Sequence, residues 1–380
     1  MAEYSELLAW AIEKGVGVNK ISPKRIPGAG LGIVAAEDIE VNDIVLKVPA
    51  ACLRTVDTFP TKLKSKLPKD MTVHSLLALD IVLDPTSAYS IWQAAFPPFS
   101  DFQKCIPLLW DSSTTSSHLP FTVRKLVDHQ LEKLSRDWSI ISPVFPDLSE
   151  DRYTHAWLLV NTRTFYYATS RHERLYPKDD RMALQPIADL FNHSSCGGCT
   201  VSFDSRVLDS EGFAVKATRA YKKGQEVTIS YGNHSNDLLL AEYGFCLEEN
   251  EWDEVCIDEA ILPLLSKTQK EILKDRGFKG GYIIDGRTPV CYRTEVAVRV
   301  MLLGERKWEK FVGGEDDGND SQREVDRTVL NALQKWRNEE YKMGNDIKGD
   351  AGKGLRLRWK QIWHIVTETC EILEERVKEA

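Results

Sequence analysis

The side chains with the greatest chemical potential lie between residues 189 and 245. Asn192 and His193 are adjacent, Tyr231 follows between a serine and a glycine, and Tyr243 stands near the end of the stretch. Amide, imidazole and phenol groups donate and accept hydrogen bonds, so together they can orient a polar ligand. Each also has an ordinary structural interpretation, because Asn-His-Ser can be a polar turn and a strand tyrosine can keep its hydroxyl in water.

A metal site is one alternative for this stretch. His193, Cys196 and Cys199 are spaced closely enough to be zinc ligands, and Cys246 could supply the fourth. No Cys-x-Cys cluster follows Cys246, and no thioredoxin-like unit surrounds the cysteine pair. We therefore expect no bound metal, and a zinc-dependent interaction domain is kept only as a rival hypothesis.

Short strands must hold these side chains in place. Apolar residues alternate in residues 201–203 and again in residues 213–215, which is typical of half-buried strands. The segment 226–231 alternates as well, and the pattern predicts a third strand that ends at Tyr231.

A largely buried helix is predicted over residues 153–165, and it ends near Arg163. A guanidinium binds a carboxylate through two parallel hydrogen bonds and does not lose its charge at physiological pH. The structural alternative for Arg163 is a solvated surface residue or a simple ion pair.

Glycines at positions 28, 30 and 32 imitate a phosphate-binding fingerprint. The dinucleotide version requires a helix directly after the glycines, whereas residues 33–39 and 43–49 read as strands. We therefore reject a nucleotide-phosphate site. A glycine hairpin without any ligand remains the simpler interpretation of this segment.

The Asn-His-Ser element, the Ser-Tyr-Gly loop and the Tyr-Gly-Phe ending occur in a fixed order along the chain. In that order they resemble the SET domain of protein methyltransferases, in particular the class of the Rubisco large-subunit lysine methyltransferase. The resemblance implies an α+β fold, in which a β-rich SET fold of small sheets carries a helical insert and is followed by an all-α C-terminal domain. It implies a SET domain in residues 1–248, with the insert at about 60–150, and a helical substrate-binding domain in 249–380.

The resemblance also implies S-adenosylmethionine as the cofactor. The residues that it assigns to cofactor binding are Ala29, Gly30, Leu31, Arg163, Asn192, His193 and Phe245. The backbone of the glycine turn would touch the methionine part, where a larger side chain would block close approach. The chain departs from the family pattern at two positions, because Ala29 stands where the family has an acidic residue and Thr162 where it has a serine.

The remaining roles follow from the same resemblance. Arg163 would hold the carboxylate of the methionine part, and Asn192 would bind its amino group through the side-chain oxygen. His193 would meet the adenine largely through its backbone, and Phe245 would stack near that ring. Tyr231 and Tyr243 are the implied catalytic residues. Tyr231 would lie where the transferred methyl group, the lysine nitrogen and the cofactor sulfur meet, and Tyr243 would line the lysine channel.

The implied reaction is methyl transfer from a sulfonium to an amine, which is an in-line displacement. A lysine amine has a reference pKa of about 10.4, and a nearby sulfonium in a dry aromatic channel disfavours its charged form. An aromatic hydroxyl can then orient the amine without a strong base. The alternatives are a protein-histidine methyltransferase of the same fold and an inactive SET-type module that only binds a partner.

Composition limits the partners. The chain has 380 residues, of which 42% are hydrophobic and 28% charged, and its net charge is −8. We expect no direct binding to nucleic acid and no membrane span, because the chain is acidic and lacks an apolar run of about 20 residues. The acidic start argues against a secretory signal, so we expect a protein substrate, a cytoplasmic or nuclear location and, by a small margin, a monomer.

Overall fold

The computed structural model describes residues 4–84, 87–111, 118–203, 211–340 and 352–379. The chain forms two compact units. The first comprises residues 1–103 and 128–233, and the second comprises residues 104–127 and 234–380. None of the helices in these described ranges is both long enough and apolar enough to cross a membrane.

About half of the described chain is helical. The helices, several of only one turn, are α1 (Ser5–Glu13), α2 (Thr61–Lys64), α3 (Val73–Leu83), α4 (Ser90–Gln93), α5 (Phe99–Cys105), α6 (Phe121–Ile141), α7 (Glu150–Arg163), α8 (Ser170–Leu175), α9 (Asn236–Leu238), α10 (Asp258–Ile261), α11 (Lys267–Asp275), α12 (Tyr292–Leu302), α13 (Glu305–Val312), α14 (Asn319–Glu340) and α15 (Gly352–Glu379).

The strands are short and form small antiparallel sheets. They are β1 (Gly17–Val18), β2 (Ile21–Ile26), β3 (Gly30–Ala35), β4 (Ile44–Pro49), β5 (Thr164–Tyr166), β6 (Met182–Leu184), β7 (Cys199–Phe203), β8 (Gly212–Ala217), β9 (Val255–Cys256) and β10 (Ile283–Ile284). The largest sheet has four strands in the order β1-β4-β8-β7, while β2 pairs with β3, β5 with β6 and β9 with β10.

In the first unit, the packing of α3 against α7 fixes the end of α7. Thr72 caps α3 by accepting a hydrogen bond from the Ser75 amide, and the Asp180 carboxylate accepts two more amide hydrogens of its first turn. Trp157 of α7 is almost fully buried. Because β5 continues directly from α7 and pairs with β6, the last helical residue, Arg163, is held at a defined position.

The second unit is built mainly from α12, α14 and α15, with one two-stranded ladder between β9 and β10. The Arg358 side chain of α15 is fully buried, and its Nε and Nη1 atoms lie 2.6 Å and 2.7 Å from carboxylate oxygens of Asp237 and Asp253. A buried guanidinium needs such partners, because its desolvation is otherwise very costly. The predicted helical C-terminal region is confirmed, with this ladder as its one β element in the described residues.

Two details of the sequence prediction were wrong. The segment 226–231 is not a continuous strand, because Ile229 makes single parallel bridges to both His193 and Cys199 and a regular ladder cannot extend from it. Residues 260–273 also look helical in the sequence, but the helix is interrupted after α10, since Pro263 lacks an amide hydrogen, and it resumes only at α11.

Candidate functional site

Two separate segments of the first unit lie side by side at Ile229. The Ile229 amide donates to the Asn192 carbonyl at 3.1 Å, and the Ser194 amide donates to the Ile229 carbonyl at 3.0 Å. The turn that leads into the first segment contains Ile187, a buried β-branched residue with φ +68°. Such strain in a branched residue is typical of functional sites. This crossing brings Tyr231 next to His193.

Tyr231 is fixed at both ends. Its hydroxyl donates to the Phe191 carbonyl at 2.7 Å, and its backbone amide donates to His193 Nδ1 at 3.1 Å. The two rings also stack, with centroids 5.1 Å apart and planes 27° apart. Because Nδ1 accepts a hydrogen bond, the proton of the neutral ring resides on Nε2. The His193 side chain therefore positions the tyrosine, a role that the sequence analysis did not assign to it.

The Asn192 side chain lies against the glycine strand. A Cβ atom added to the buried Gly32 would come within 2.6 Å of Asn192 Nδ2 and 2.7 Å of Ile26 Cγ1. The same nitrogen donates to Glu226 Oε1 at 2.8 Å. Three segments that are far apart in sequence thus meet around one amide, and a glycine is required where they meet.

We predict that Gly32→Ala weakens cofactor binding by about tenfold, because the new methyl group displaces the Asn192 amide and a hydrogen bond to a charged group is lost. Isothermal titration with S-adenosylhomocysteine measures the affinity. Gly286→Ala is the control, since a Cβ atom there meets only one atom, at an ordinary 3.7 Å. If Gly32→Ala bound S-adenosylhomocysteine as tightly as the wild type, the close packing of Gly32 against the Asn192 amide would not matter for cofactor binding, and the prediction would be wrong.

The glycine turn itself is the exposed tip of the β2–β3 hairpin. Gly28 and Gly30 have φ values of +80° and +78°, and the Ala29 amide donates to the Ile26 carbonyl at 3.1 Å. Leu31 is half-buried. Ala29, Gly30 and Leu31 therefore share a hairpin with Gly32, and through Gly32 that hairpin reaches Asn192.

Arg163 is tied to the segment that precedes Asn192. Its Nη1 donates to the Asp189 carbonyl at 2.7 Å, and its guanidinium lies 6.0 Å from the centroid of the Phe96 ring. Its Nε atom is buried and has no partner among the described residues. A guanidinium with an unused donor is suited to a carboxylate ligand.

Asp189 is a buried carboxylate beside this arginine. It is 6% exposed, Oδ2 accepts a hydrogen bond from Trp92 Nε1 at 3.0 Å, and Oδ1 has no partner within the described ranges. Burial raises the pKa of Asp189 to about 6, although the Arg163 charge and the Trp92 hydrogen bond act in the opposite direction. Asp189 and Trp92 were both missed by the sequence analysis, although Asp189 lies only three residues before Asn192.

We predict that Asp189→Asn makes the protein's stability less sensitive to pH. The folded-state pKa is raised from 3.8 to about 6, so the folded state binds the extra proton between these values and stability falls as pH rises through that window. The full effect is about 3 kcal/mol, and it disappears when the group cannot ionise. Urea unfolding at about pH 4.5 and about pH 7 captures about 2 kcal/mol of this effect. Asp179→Asn is the control, because Asp179 is exposed. If the unfolding free energy of Asp189→Asn depended on pH as strongly as that of the wild type, the raised pKa of Asp189 would be contradicted.

Tyr243 and Phe245 belong to the second unit. Tyr243 ends a π-helical turn, and Gly244 follows with φ +81°, where a Cβ atom would lie 2.8 Å from Cys105 Sγ. The Tyr243 ring lies 6.4 Å from the His234 ring and 6.3 Å from the Phe245 ring. Burial raises the pKa of Tyr243 to about 12, so its hydroxyl stays protonated at neutral pH. The structure thus brings these two aromatic residues together.

The cysteines are not grouped with other possible metal ligands of the described residues. Cys196 is exposed and Cys199 is buried, and burial raises the pKa of Cys199 to about 11. His193 Nδ1 already accepts a hydrogen bond from the Tyr231 amide. In the described part of the chain, no three His, Cys, Asp or Glu side chains are grouped to hold a metal ion.

The SET domain family matches residues 30–232, more than half of the chain. The chain belongs to the SET-domain family. The remainder of this SET-domain protein matches a second family over residues 253–379, the C-terminal domain of ribosomal lysine N-methyltransferase 2. The family and the fold that the sequence predicts are both confirmed.

Individual relatives are similar to this chain over most of their length. The ribosomal lysine N-methyltransferase set11 of Schizosaccharomyces pombe is 26% identical, over 97% of this chain and 96% of that protein. Ribosomal lysine N-methyltransferase 2 of Saccharomyces cerevisiae is 27% identical, over 60% of this chain and 56% of that protein. The solved structure of Rubisco LSMT bound to AdoMet has the same fold, with a TM-score of 0.71 at 17% identity over 100% of this chain and 93% of that one.

Proposed function

We propose that this SET-domain protein transfers a methyl group from S-adenosylmethionine to a lysine side chain of another protein. The family match and the lysine methyltransferase relatives confirm the class of enzyme that the sequence predicts. The observation that carries the proposal is the crossing of two segments at Ile229, because it sets Tyr231 against His193 and fixes its hydroxyl at the Phe191 carbonyl.

The side chains of the first unit fit an amino-acid-bearing cofactor. The unused Nε donor of Arg163 suits its carboxylate, and the Asn192 oxygen suits its ammonium, because Nδ2 already donates to Glu226. Gly32 leaves room for the asparagine, which a Cβ atom would fill. When bound, S-adenosylmethionine supplies an electrophilic methyl group on a sulfonium.

Tyr231 then acts on the incoming amine. Its hydroxyl proton is committed to the Phe191 carbonyl, so the phenol oxygen acts as an acceptor toward an amine N–H or a polarised methyl group. The amine loses its proton to water before transfer, since the sulfonium and the dry surroundings disfavour the ammonium form. Orientation rather than strong base catalysis is the tyrosine's contribution.

The other residue roles are part of the same proposal. Ala29, Gly30 and Leu31 would line the methionine part, the His193 backbone would meet the adenine, Phe245 would stack near that ring, and Tyr243 would be the second catalytic aromatic residue. We also propose a division into a SET domain, 1–248, and a substrate-binding domain, 249–380. We also propose that the protein is a monomer and that it lies in the cytoplasm or nucleus. Size-exclusion chromatography tests the oligomeric state, and cell fractionation tests the location.

Incubation with radiolabelled S-adenosylmethionine and a cell extract tests the activity. We expect label on a lysine of a protein, located by mass spectrometry, and far less label with the Tyr231→Phe variant. Label on a histidine would support the alternative methyltransferase of the same fold. Absence of both label and heat of cofactor binding would instead support an inactive binding module.

A further inference from the structure

The Asn192 amide has one defined orientation, and Glu226 sets it. A carboxylate accepts hydrogen bonds but cannot donate them when ionised, so the amide nitrogen must face it. The observed distance from Asn192 Nδ2 to Glu226 Oε1 is 2.8 Å. The amide oxygen therefore points to the other side, where it can accept hydrogen bonds from a cation.

Both partners of this hydrogen bond are anchored to the glycine strand. Glu226 forms a β-bridge with Val34, and the next residue, Val227, donates its amide to the Ile33 carbonyl at 2.8 Å. A Cβ atom on Gly32 would lie 3.2 Å from Glu226 Oε1 and 2.6 Å from Asn192 Nδ2. The hydrogen bond thus lies directly against β3, and neither side chain can move far without leaving that contact.

Among the described residues, Glu226 also has no cationic partner of its own. It is half-buried, and its carboxylate forms no ion pair with any lysine, arginine or histidine in the described ranges. A partly buried negative charge of this kind favours a positive charge nearby. An α-ammonium group at the Asn192 oxygen would supply that charge.

From these contacts we propose that Glu226 is a positioning residue that makes the pocket specific for the α-amino group of the cofactor. This inference rests on the proposed function. Glu226 acts through Asn192, whose oxygen it presents to the ammonium, and it adds a negative charge behind the amide. Without Glu226 the amide can rotate and present its own NH₂ group, which cannot accept a hydrogen bond from the ammonium.

Isothermal titration with two ligands tests this role. The ligands are S-adenosylhomocysteine and its analogue in which hydrogen replaces the α-amino group. We expect the wild type to prefer the amino ligand, and Glu226→Ala to reduce that preference by about tenfold, through weaker binding of the amino ligand alone. Glu226→Gln keeps an acceptor for Asn192 and should retain part of the preference. The exposed Glu37→Ala is the control.

A double variant separates a positioning role from an independent one. If Glu226 acts through Asn192, Glu226→Ala should reduce the preference little further in an Asn192→Ala background. Equal weakening of both ligands in Glu226→Ala would mean a purely structural residue and would overturn the inference, while leaving the proposed function intact. A wild-type protein that binds neither ligand would instead overturn the proposed function.

Discussion

Replacement of Tyr231 by phenylalanine is expected to lower the rate of methyl transfer by about a hundredfold or more. The change removes one oxygen atom and keeps the ring, so the stacking on His193 and the backbone hydrogen bond to Nδ1 persist. What is lost is the hydroxyl that is held by the Phe191 carbonyl. The affinity for cofactor should change by no more than about twofold, because the phenol is assigned to the reacting groups.

Single-turnover labelling at saturating cofactor measures this effect, and titration calorimetry measures the affinity in parallel. Tyr166→Phe is the matched control, since that tyrosine is 55% exposed and lies in the same unit. We also expect a loss of about 1 kcal/mol in unfolding free energy, the usual net value of one hydrogen bond. A Tyr231→Phe enzyme that retains the wild-type rate would remove this residue from the reaction.

The second large effect is expected at Arg163. Substitution by alanine should weaken cofactor binding by about 10- to 100-fold, because a charge-assisted hydrogen bond pair to a carboxylate is lost. Lysine should restore only part of the affinity, since its ammonium cannot form the two parallel bonds of a guanidinium. The rate at saturating cofactor should change far less than the affinity.

Arg152→Ala provides the comparison within the same helix, α7. Arg152 is exposed, and its guanidinium donates to the Val82 carbonyl at 3.2 Å. Its loss should leave cofactor affinity unchanged. A 5′-methylthioadenosine titration adds a second control, because that ligand has no carboxylate and should bind the wild type and Arg163→Ala alike. Equal losses for both ligands would place the arginine's effect in folding rather than in carboxylate binding.

Local patterns in the sequence predict many elements of the fold. Period-two alternation identifies β7 and β8, apolar residues at three-to-four spacing identify α15, and a largely apolar stretch identifies the buried helix α7. The alternation in residues 226–231 failed as a predictor, because Ile229 pairs with two different partners and the tertiary arrangement overrides the local pattern.

The site was predictable only in part. Asn192, His193 and Tyr231 were found by resemblance, and the structure brings these three together. Glu226 was missed because its partner lies 34 residues away, and nothing in the local sequence indicates which carboxylate will reach an asparagine. Asp189 was missed because its burial depends on Trp92, a contact across 97 residues.

The hydrogen bonds around Asn192 and His193 also dictate when the pocket can form during protein synthesis. Their partners, Glu226, Ile229 and Tyr231, all leave the ribosome after them. A nascent chain that stops before residue 226 contains Arg163 and the glycine hairpin, but its Asn192 is not oriented and Tyr231 has not yet been made. S-adenosylmethionine therefore cannot assist the folding of a half-made chain, and it can stabilise only a first unit whose last segment, residues 226–231, has already emerged.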